Sequence, residues 1–249
     1  TNTSQTSELG IGKFSLKFNP NVNNQVDYEV LGRVTNESQD QNYLSSVIGS
    51  IEQLDEAETF SINQNLNYYY TLNEKNIFAL EAQHQLKDED PFYNALLENN
   101  DNYQTTAIGL GLDNSLPFYN IAQDKRVKSN QLDAKVDYWN ILNKKSDLNL
   151  TLGTIYSKQD FNSEIFQILE NTDQYYPNPL INYGHGSNDI NYIFDDLYLG
   201  MRYRLKLGKF TISPGFSAHS YNSKNDQYNV VNADLVSDIS YKKSFFKFL

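Results

Sequence analysis

The feature that most constrains this chain is a strict alternation of apolar and polar residues, recurring in segments of about ten residues. A helix repeats every 3.6 residues, so a period of two predicts strands with one apolar and one polar face. Val26, Tyr28, Val30, Gly32 and Val34 alternate with Asp27, Glu29, Arg33 and Thr35. Phe60, Ile62, Leu66, Tyr68, Tyr70 and Leu72 alternate with Ser61, Asn63, Asn65, Asn67 and Thr71. Phe78, Leu80, Ala82 and Leu86 do so with Glu81, Gln83, Gln85 and Lys87. The pattern returns in Leu132 to Tyr138, in Leu148 to Tyr156, and in Leu197, Leu199, Met201, Tyr203 and Leu205 against Gly200, Arg202, Arg204 and Lys206. It returns again in Phe210, Ile212, Phe216 and Ala218 against Thr211, Ser213, Ser217 and His219. Weaker segments open and close the chain, at Phe14, Leu16, Phe18 and at Ala233, Leu235, Ile239, Tyr241, which makes nine strands. Pro214, inside the eighth, cannot donate to a ladder and predicts a bulge or an edge there.

The connections alternate between short and long. Short ones are Asn19 to Gln25, Asn73 to Asn76, Ile141 to Ser146 and Gly208-Lys209; long ones are Asn36 to Glu58, Asp88 to Asn130, Gln159 to Asp195 and Asn222 to Val230. The stretch Tyr103 to Leu112 reads as a folded part of the second long loop. A two-layer sandwich has no reason to place every long loop at one end. A transmembrane β-barrel does, with short periplasmic turns, long extracellular loops and strands of about 9–11 residues. Aromatics near both segment ends, such as Phe18, Trp139 and Phe210 on one side and Phe60, Tyr156 and Tyr221 on the other, suit two interfacial girdles. The expected fold is therefore all-β, an antiparallel barrel segment in the outer membrane of a Gram-negative cell. Nine strands leave two open edges, so a larger barrel is expected, with residues 1–249 as part of one barrel domain.

Composition removes other classes. Without cysteine there is no disulfide scaffold, thiol nucleophile or Cys-ligated metal. An excess of 31 Asp and Glu over 20 Lys and Arg, net charge -11, argues against nucleic acid as a partner. No window approaches the roughly 20 apolar residues of a membrane helix. Thr1 to Leu9 is polar and carries no signal peptide, and the apolar run Ser244 to Leu249 reads as a break within a longer chain.

The run Gly12-Lys13-Phe14-Ser15-Leu16-Lys17-Phe18-Asn19-Pro20, continuing from Asn24 through Arg33, resembles the barrel region of TonB-dependent outer-membrane receptors. The resemblance is to the type with an N-terminal carboxypeptidase-like regulatory domain, and Ser61 to Tyr70 and Leu86 to Asn94 strengthen it. It implies a 22-stranded barrel occluded by a plug, with TonB as partner and uptake of a metal chelate, glycan or peptide as the role; a surface lipoprotein is a further expected partner, read from the loop aromatics and not from the resemblance. No residue here matches a TonB box or a plug motif. The competing reading is a barrel that serves as structural partner of a surface complex without transport.

No phosphate-binding loop, nucleophile elbow or His-Glu-x-x-His is present, so an enzyme is not expected. Of the three histidines, His84 falls on an apolar face, His219 on a polar face and only His185 in a loop, a poor set for a metal. The loop Tyr183 to Asp189, with His185 between glycines and Tyr175 and Tyr176 nearby, is the most site-like stretch. Its members Tyr175, Tyr176, Tyr183, His185 and Asp189 are the expected ligand contacts. Acidic clusters at Asp88 to Asp90, Asn99 to Asn102 and Asp189 to Asp196 offer oxygen ligands of the kind calcium takes, although their spacing matches no calcium loop. No other cofactor is expected. Loop aromatics Tyr43, Phe92, Tyr93, Phe118 and Tyr119 read equally as ligand platforms or as packing.

Overall fold

The computed structural model describes residues 2–46, 49–98, 101–177, 187–228 and 235–248. They form one antiparallel sheet of eleven strands and one helix: β1 (Asn2–Asn21), β2 (Asn24–Ser45), β3 (Gly49–Asn73), β4 (Asn76–Glu98), α1 (Asp101–Leu110), β5 (Phe118–Asn143), β6 (Ser146–Ile168), β7 (Gln174–Tyr175), β8 (Ser187–Leu207), β9 (Phe210–Ile212), β10 (Gly215–Tyr228) and β11 (Leu235–Phe248). Nine of them pair in sequence order, while β7 adds to β6 and β9 to β8. The expected eighth strand is split into β9 and β10 at Ser213-Pro214, where proline interrupts the ladder. Among the described residues β1 and β11 each pair on one side only, so the sheet is open.

Its turns are built from short side chains. Asn21 Oδ1 accepts from the backbone of Asn23 at 3.0 Å and from Asn24 Nδ2 at 2.8 Å. Asn73 does the same for Lys75 and Asn76, at 3.0 and 2.8 Å, and Asn143 accepts from Lys145 at 2.8 Å. An asparagine at the last strand position thus closes each two-residue turn by mimicking a backbone acceptor. At the fourth turn Gly208, at φ 63°, supplies the left-handed conformation instead.

The turns also set the slant of the sheet. The carbonyls of Asn23, Lys75 and Lys145 accept from Thr71, Ile141 and Lys206 of the next hairpin, at 2.8, 2.7 and 2.8 Å. Each hairpin thus runs two residues past its predecessor: Asn24 lies level with Tyr70 and Phe78, Asn76 with Asn140 and Leu148, Ser146 with Leu205. One residue of rise, about 3.4 Å, per strand spacing of about 4.8 Å corresponds to a tilt of about 35°.

The apolar segments are shorter than the strands that carry them. The long connections expected at 36–58, 88–130 and 159–195 are largely strand: β2 and β3 stay paired without a slip from Asn24↔Tyr70 to Ser45↔Gly49. Glu37 to Asn42 is polar on both faces, so it carries no alternation, yet its backbone continues the ladder. Tyr103 to Leu112 does belong to a folded connection, as α1 and the turn after it. There Ala107, Leu112 and Tyr119 form the only hydrophobic cluster of buried residues among those described, supported by Leu97, Tyr103 and Ile121.

Apart from α1 against one end of β4 and β5, neither face of the main sheet carries a second layer among the described residues. Phe14, Leu16, Phe18, Val34, Phe60, Val136, Leu152, Leu197 and Leu199 are exposed, while Ser61, Asp137, Asn149, Asp196 and Ser217 on the opposite face are buried. Burial is inverted relative to a water-facing domain, as in a sheet curled toward its polar side.

Candidate functional site

Register places Thr151, Gly200, Ser217 and Lys247 in one row across the polar face, and Gly153, Tyr198, His219 and Phe245 in the next. The His219 ring is stacked between two others, Phe245 at 4.9 Å and 7° and Tyr198 at 5.3 Å and 22°. This stack fixes the imidazole plane, and two hydrogen bonds fix its rotation: Nδ1 lies 2.9 Å from Asp196 Oδ2 and Nε2 lies 3.0 Å from Ser217 Oγ. With Nδ1 protonated toward the carboxylate, Nε2 accepts from the Ser217 hydroxyl. The other Asp196 oxygen, Oδ1, is buried with no hydrogen-bond partner among the described residues.

Gly153 belongs to the same arrangement. The Tyr198 ring occupies the space where a β-carbon at residue 153 would stand. A glycine inside a strand often marks such a close approach.

Beside the stack lies a charged network. Lys135 Nζ is 3.0 Å from Glu81 and 3.4 Å from Asp137, and Asp137 Oδ1 also accepts from Asn149 Nδ2 at 3.2 Å and from the Thr151 hydroxyl. These side chains, with Trp139, Tyr198, Gly200 and Arg202, line an open recess of about 400 Å³. The wall can therefore hold a polar solute against fixed charges of both signs.

Of the expected ligand contacts, Tyr175, Tyr176 and Asp189 fall within the described residues. Tyr175 sits on β7 opposite Gln167; Tyr176 bonds Gln174 at 2.9 Å and Glu164 at 3.4 Å, its ring tilted on Phe166. Local desolvation, and then the Glu164 charge, raise the pKa of the Tyr176 hydroxyl although the residue as a whole is exposed. Asp189 is half-buried on β8 opposite Asn162, in a second recess with Asp90, Asp124, Arg126 and Asp160. Tyr183 and His185 lie outside the described residues. Of the loop aromatics, Tyr119 is buried in the α1 cluster and bonds Asn114 at 2.9 Å, and Tyr93 accepts from Gln53 at 2.9 Å. Phe118, Tyr175 and Tyr176 are exposed.

The acidic clusters are engaged in other ways. Asp88 is held by Arg126 at 3.1 and 3.2 Å, Glu89 pairs with Lys87, and Asp195 accepts from Asn222 at 3.1 Å. Asn99 and Asn100 lie outside the described residues. Among the described residues no three His, Asp or Glu side chains are grouped so as to hold a metal ion.

Sequence reasoning placed His219 on a polar face but did not single out its site. Ser217 and His219 share a face by their spacing, whereas Asp196 comes from another strand through register alone. No protein-family model matches the chain, and no curated protein matches it significantly.

Proposed function

We propose that this sheet is a sector of a transmembrane β-barrel in a Gram-negative outer membrane, in a transporter that binds ligand at its outer hairpins and passes it along the polar wall. The observation that carries this reading is the shape of the apolar face. Its lower border follows the tight turns. Its upper border ends at Val34 and Phe60, then drops to Leu86, Leu132 and Tyr156, then to Leu197 and Ala218; each drop is visible where an apolar residue meets a polar partner, as in Phe60↔Asp88, Leu86↔Asn130, Tyr156↔Asp195 and Leu197↔Ser220.

Both borders slant the same way. They enclose a band about ten residues deep at a tilt of about 35–45°, which is the length and inclination of strands in such barrels. A slanted, exposed apolar band of this extent calls for a hydrocarbon covering, because water-exposed patches rarely exceed a few hundred Å². Polar residues within the band are satisfied by one another: Tyr28 donates to Gln64 at 2.7 Å, Gln64 meets His84 at 3.2 Å, and His84 meets Asn130 at 2.9 Å. In lipid such pairing is required of any polar group. The same requirement asks for further strands against β1 and β11.

The role in uptake is supported by the polar wall with its recess and by the paired ribbons beyond the band. A plug and TonB coupling follow from the resemblance of the barrel texture to TonB-dependent receptors.

These 249 residues contain no cysteine, so once any cysteine elsewhere in the full-length protein is replaced, each introduced thiol is read alone. Single cysteines at 197, 199 and 201 of the full-length protein in cells should resist a hydrophilic maleimide and react with a lipophilic one, and those at 198, 200 and 202 should do the reverse. Equal labelling at adjacent positions would sink the membrane reading. Uptake is tested with labelled metal chelates, oligosaccharides and peptides. Loss of one uptake activity on trimming residues 36–58 supports transport, whereas a protein that moves none of the panel would be a structural barrel.

A further inference from the structure

We propose that Ser217, His219 and Asp196 form a nucleophilic site that cleaves carboxylic esters at the polar wall. The three side chains have the connectivity such chemistry needs: hydroxyl to imidazole Nε2 at 3.0 Å, imidazole Nδ1 to carboxylate at 2.9 Å. A hydrogen-bonded serine, histidine and aspartate could equally satisfy one another as buried polar groups, so the surroundings decide.

Two features of those surroundings favour chemistry. First, the imidazole is held more tightly than satisfaction requires, its plane fixed by the Tyr198 and Phe245 rings and its Nδ1 directed at a carboxylate, so that Nε2 is left as a base. Second, side chains are missing where an acyl group would need room. Ser217 faces Gly200 across the ladder, and a β-carbon at Gly200 would meet only Thr151, at 3.6 Å; at Gly215 the space is already taken, since a β-carbon there would meet the Met201 carbonyl oxygen at 3.0 Å and Arg202 Cβ at 3.4 Å. The gap adjoins the recess lined by Thr151, Tyr198, Gly200 and Arg202. Cations flank it by register: Lys247 is opposite Ser217 on β11, and Arg202 is opposite Gly215 on β8. Backbone N–H groups here are committed to the ladder, so these two cations take the place of an amide oxyanion hole. Arg202 and Lys247 supply the positive charge beside the serine, while Lys135 is already paired with Glu81 and Asp137.

The reaction balances without a cofactor. Ser217 Oγ bonds to the ester carbonyl carbon as its proton passes to His219 Nε2. The bond to the alcohol oxygen breaks, and the leaving alkoxide takes that proton. Water then adds to the acyl-serine, giving a proton to Nε2; the carbon–Oγ bond breaks, the proton returns to Oγ, and the carboxylic acid departs. Asp196 acts through His219 as a positioning residue. Access of water to this face rests on the barrel reading above.

The test uses the full-length protein in outer-membrane vesicles, a fluorophosphonate probe and p-nitrophenyl acetate. An adduct on Ser217 by mass spectrometry is expected, lost in Ser217→Ala. Reactivity should fall about 100-fold or more in His219→Gln and in Asp196→Asn, which keep hydrogen-bonding shape. An unmodified Ser217, in protein whose Gly200→Cys variant reacts with a hydrophilic maleimide, overturns the nucleophile while leaving the barrel reading intact. Labelling unchanged by His219→Gln also overturns it. If Gly200→Cys is itself unreactive, the wet wall and this site fail together.

Discussion

The ring of Tyr198 lies over the bare backbone of Gly153, its direct partner across the β6–β8 ladder. Tyr198 in turn stacks on His219, so the absent side chain at 153 sets the position of the imidazole two strands away. Gly153→Ala must push the ring aside and is expected to cost about 1–3 kcal/mol, as other overpacking changes do. Tyr198→Ala in the same chain should recover part of that loss. Urea unfolding of the four chains of this double-mutant cycle measures the coupling, and additive losses would refute the contact.

Substitutions on β8 should follow face and depth. On the proposed barrel reading, Leu199→Arg is expected to cost about 2–4 kcal/mol near mid-membrane, and Gly200→Arg about 0–1 kcal/mol, because the second points to the polar face that already holds Arg202. Leu197→Arg, at the upper border, should cost less than Met201→Arg. Refolding equilibria in lipid vesicles give the order; equal costs at 199 and 200 would refute the face assignment.

The turns differ in what they tolerate. Asn73→Ala removes the acceptor of two hydrogen bonds and should cost about 1 kcal/mol. Gly208→Ala must hold a β-carbon at φ 63° and should cost about 1–2 kcal/mol. Gly208→Asn should be milder, since asparagine visits that region. Thermal unfolding of the three variants ranks them.

Beyond the band, two carboxylates respond to acid in opposite senses. The Arg126 guanidinium holds Asp88 below the ordinary carboxyl value of 3.8, so its contribution is present above 3.8 and is lost as pH falls through the lowered value. Burial, and then the charge of Asp90, raise Asp124, whose contribution is present below 3.8 and is lost as pH rises through the raised value. Acidification should first protect the β4–β5 ribbon and then, below 3.8, loosen it. Amide exchange over residues 118–130 follows both phases; Asp124→Asn should remove the first and Asp88→Asn the second.

Much of the fold was legible because the pleat is local. Whether Leu199 or Gly200 faces the apolar side follows from parity along one strand, and the asparagine turns and Gly208 announce themselves by residue type. The ribbons were hidden for a physical reason: Glu37 to Asn42 has polar residues on both faces, so no alternation marks a ladder held by backbone bonds. Helix α1 was likewise legible only as a folded insertion, because its burial depends on Leu97, Tyr119 and Ile121 from two strands.

By itself the sequence determined the apolar-faced part of each main strand, which face is apolar and where the tight turns fall, since these depend on neighbours one or two positions apart; the polar continuations of those strands it left unmarked. The tertiary structure decided the register. Register is a relation between distant segments, and a slip of one residue would turn a whole strand over. It is register that slants the apolar band, seats Tyr198 on Gly153, and carries Asp196 from β8 to the histidine and serine of β10.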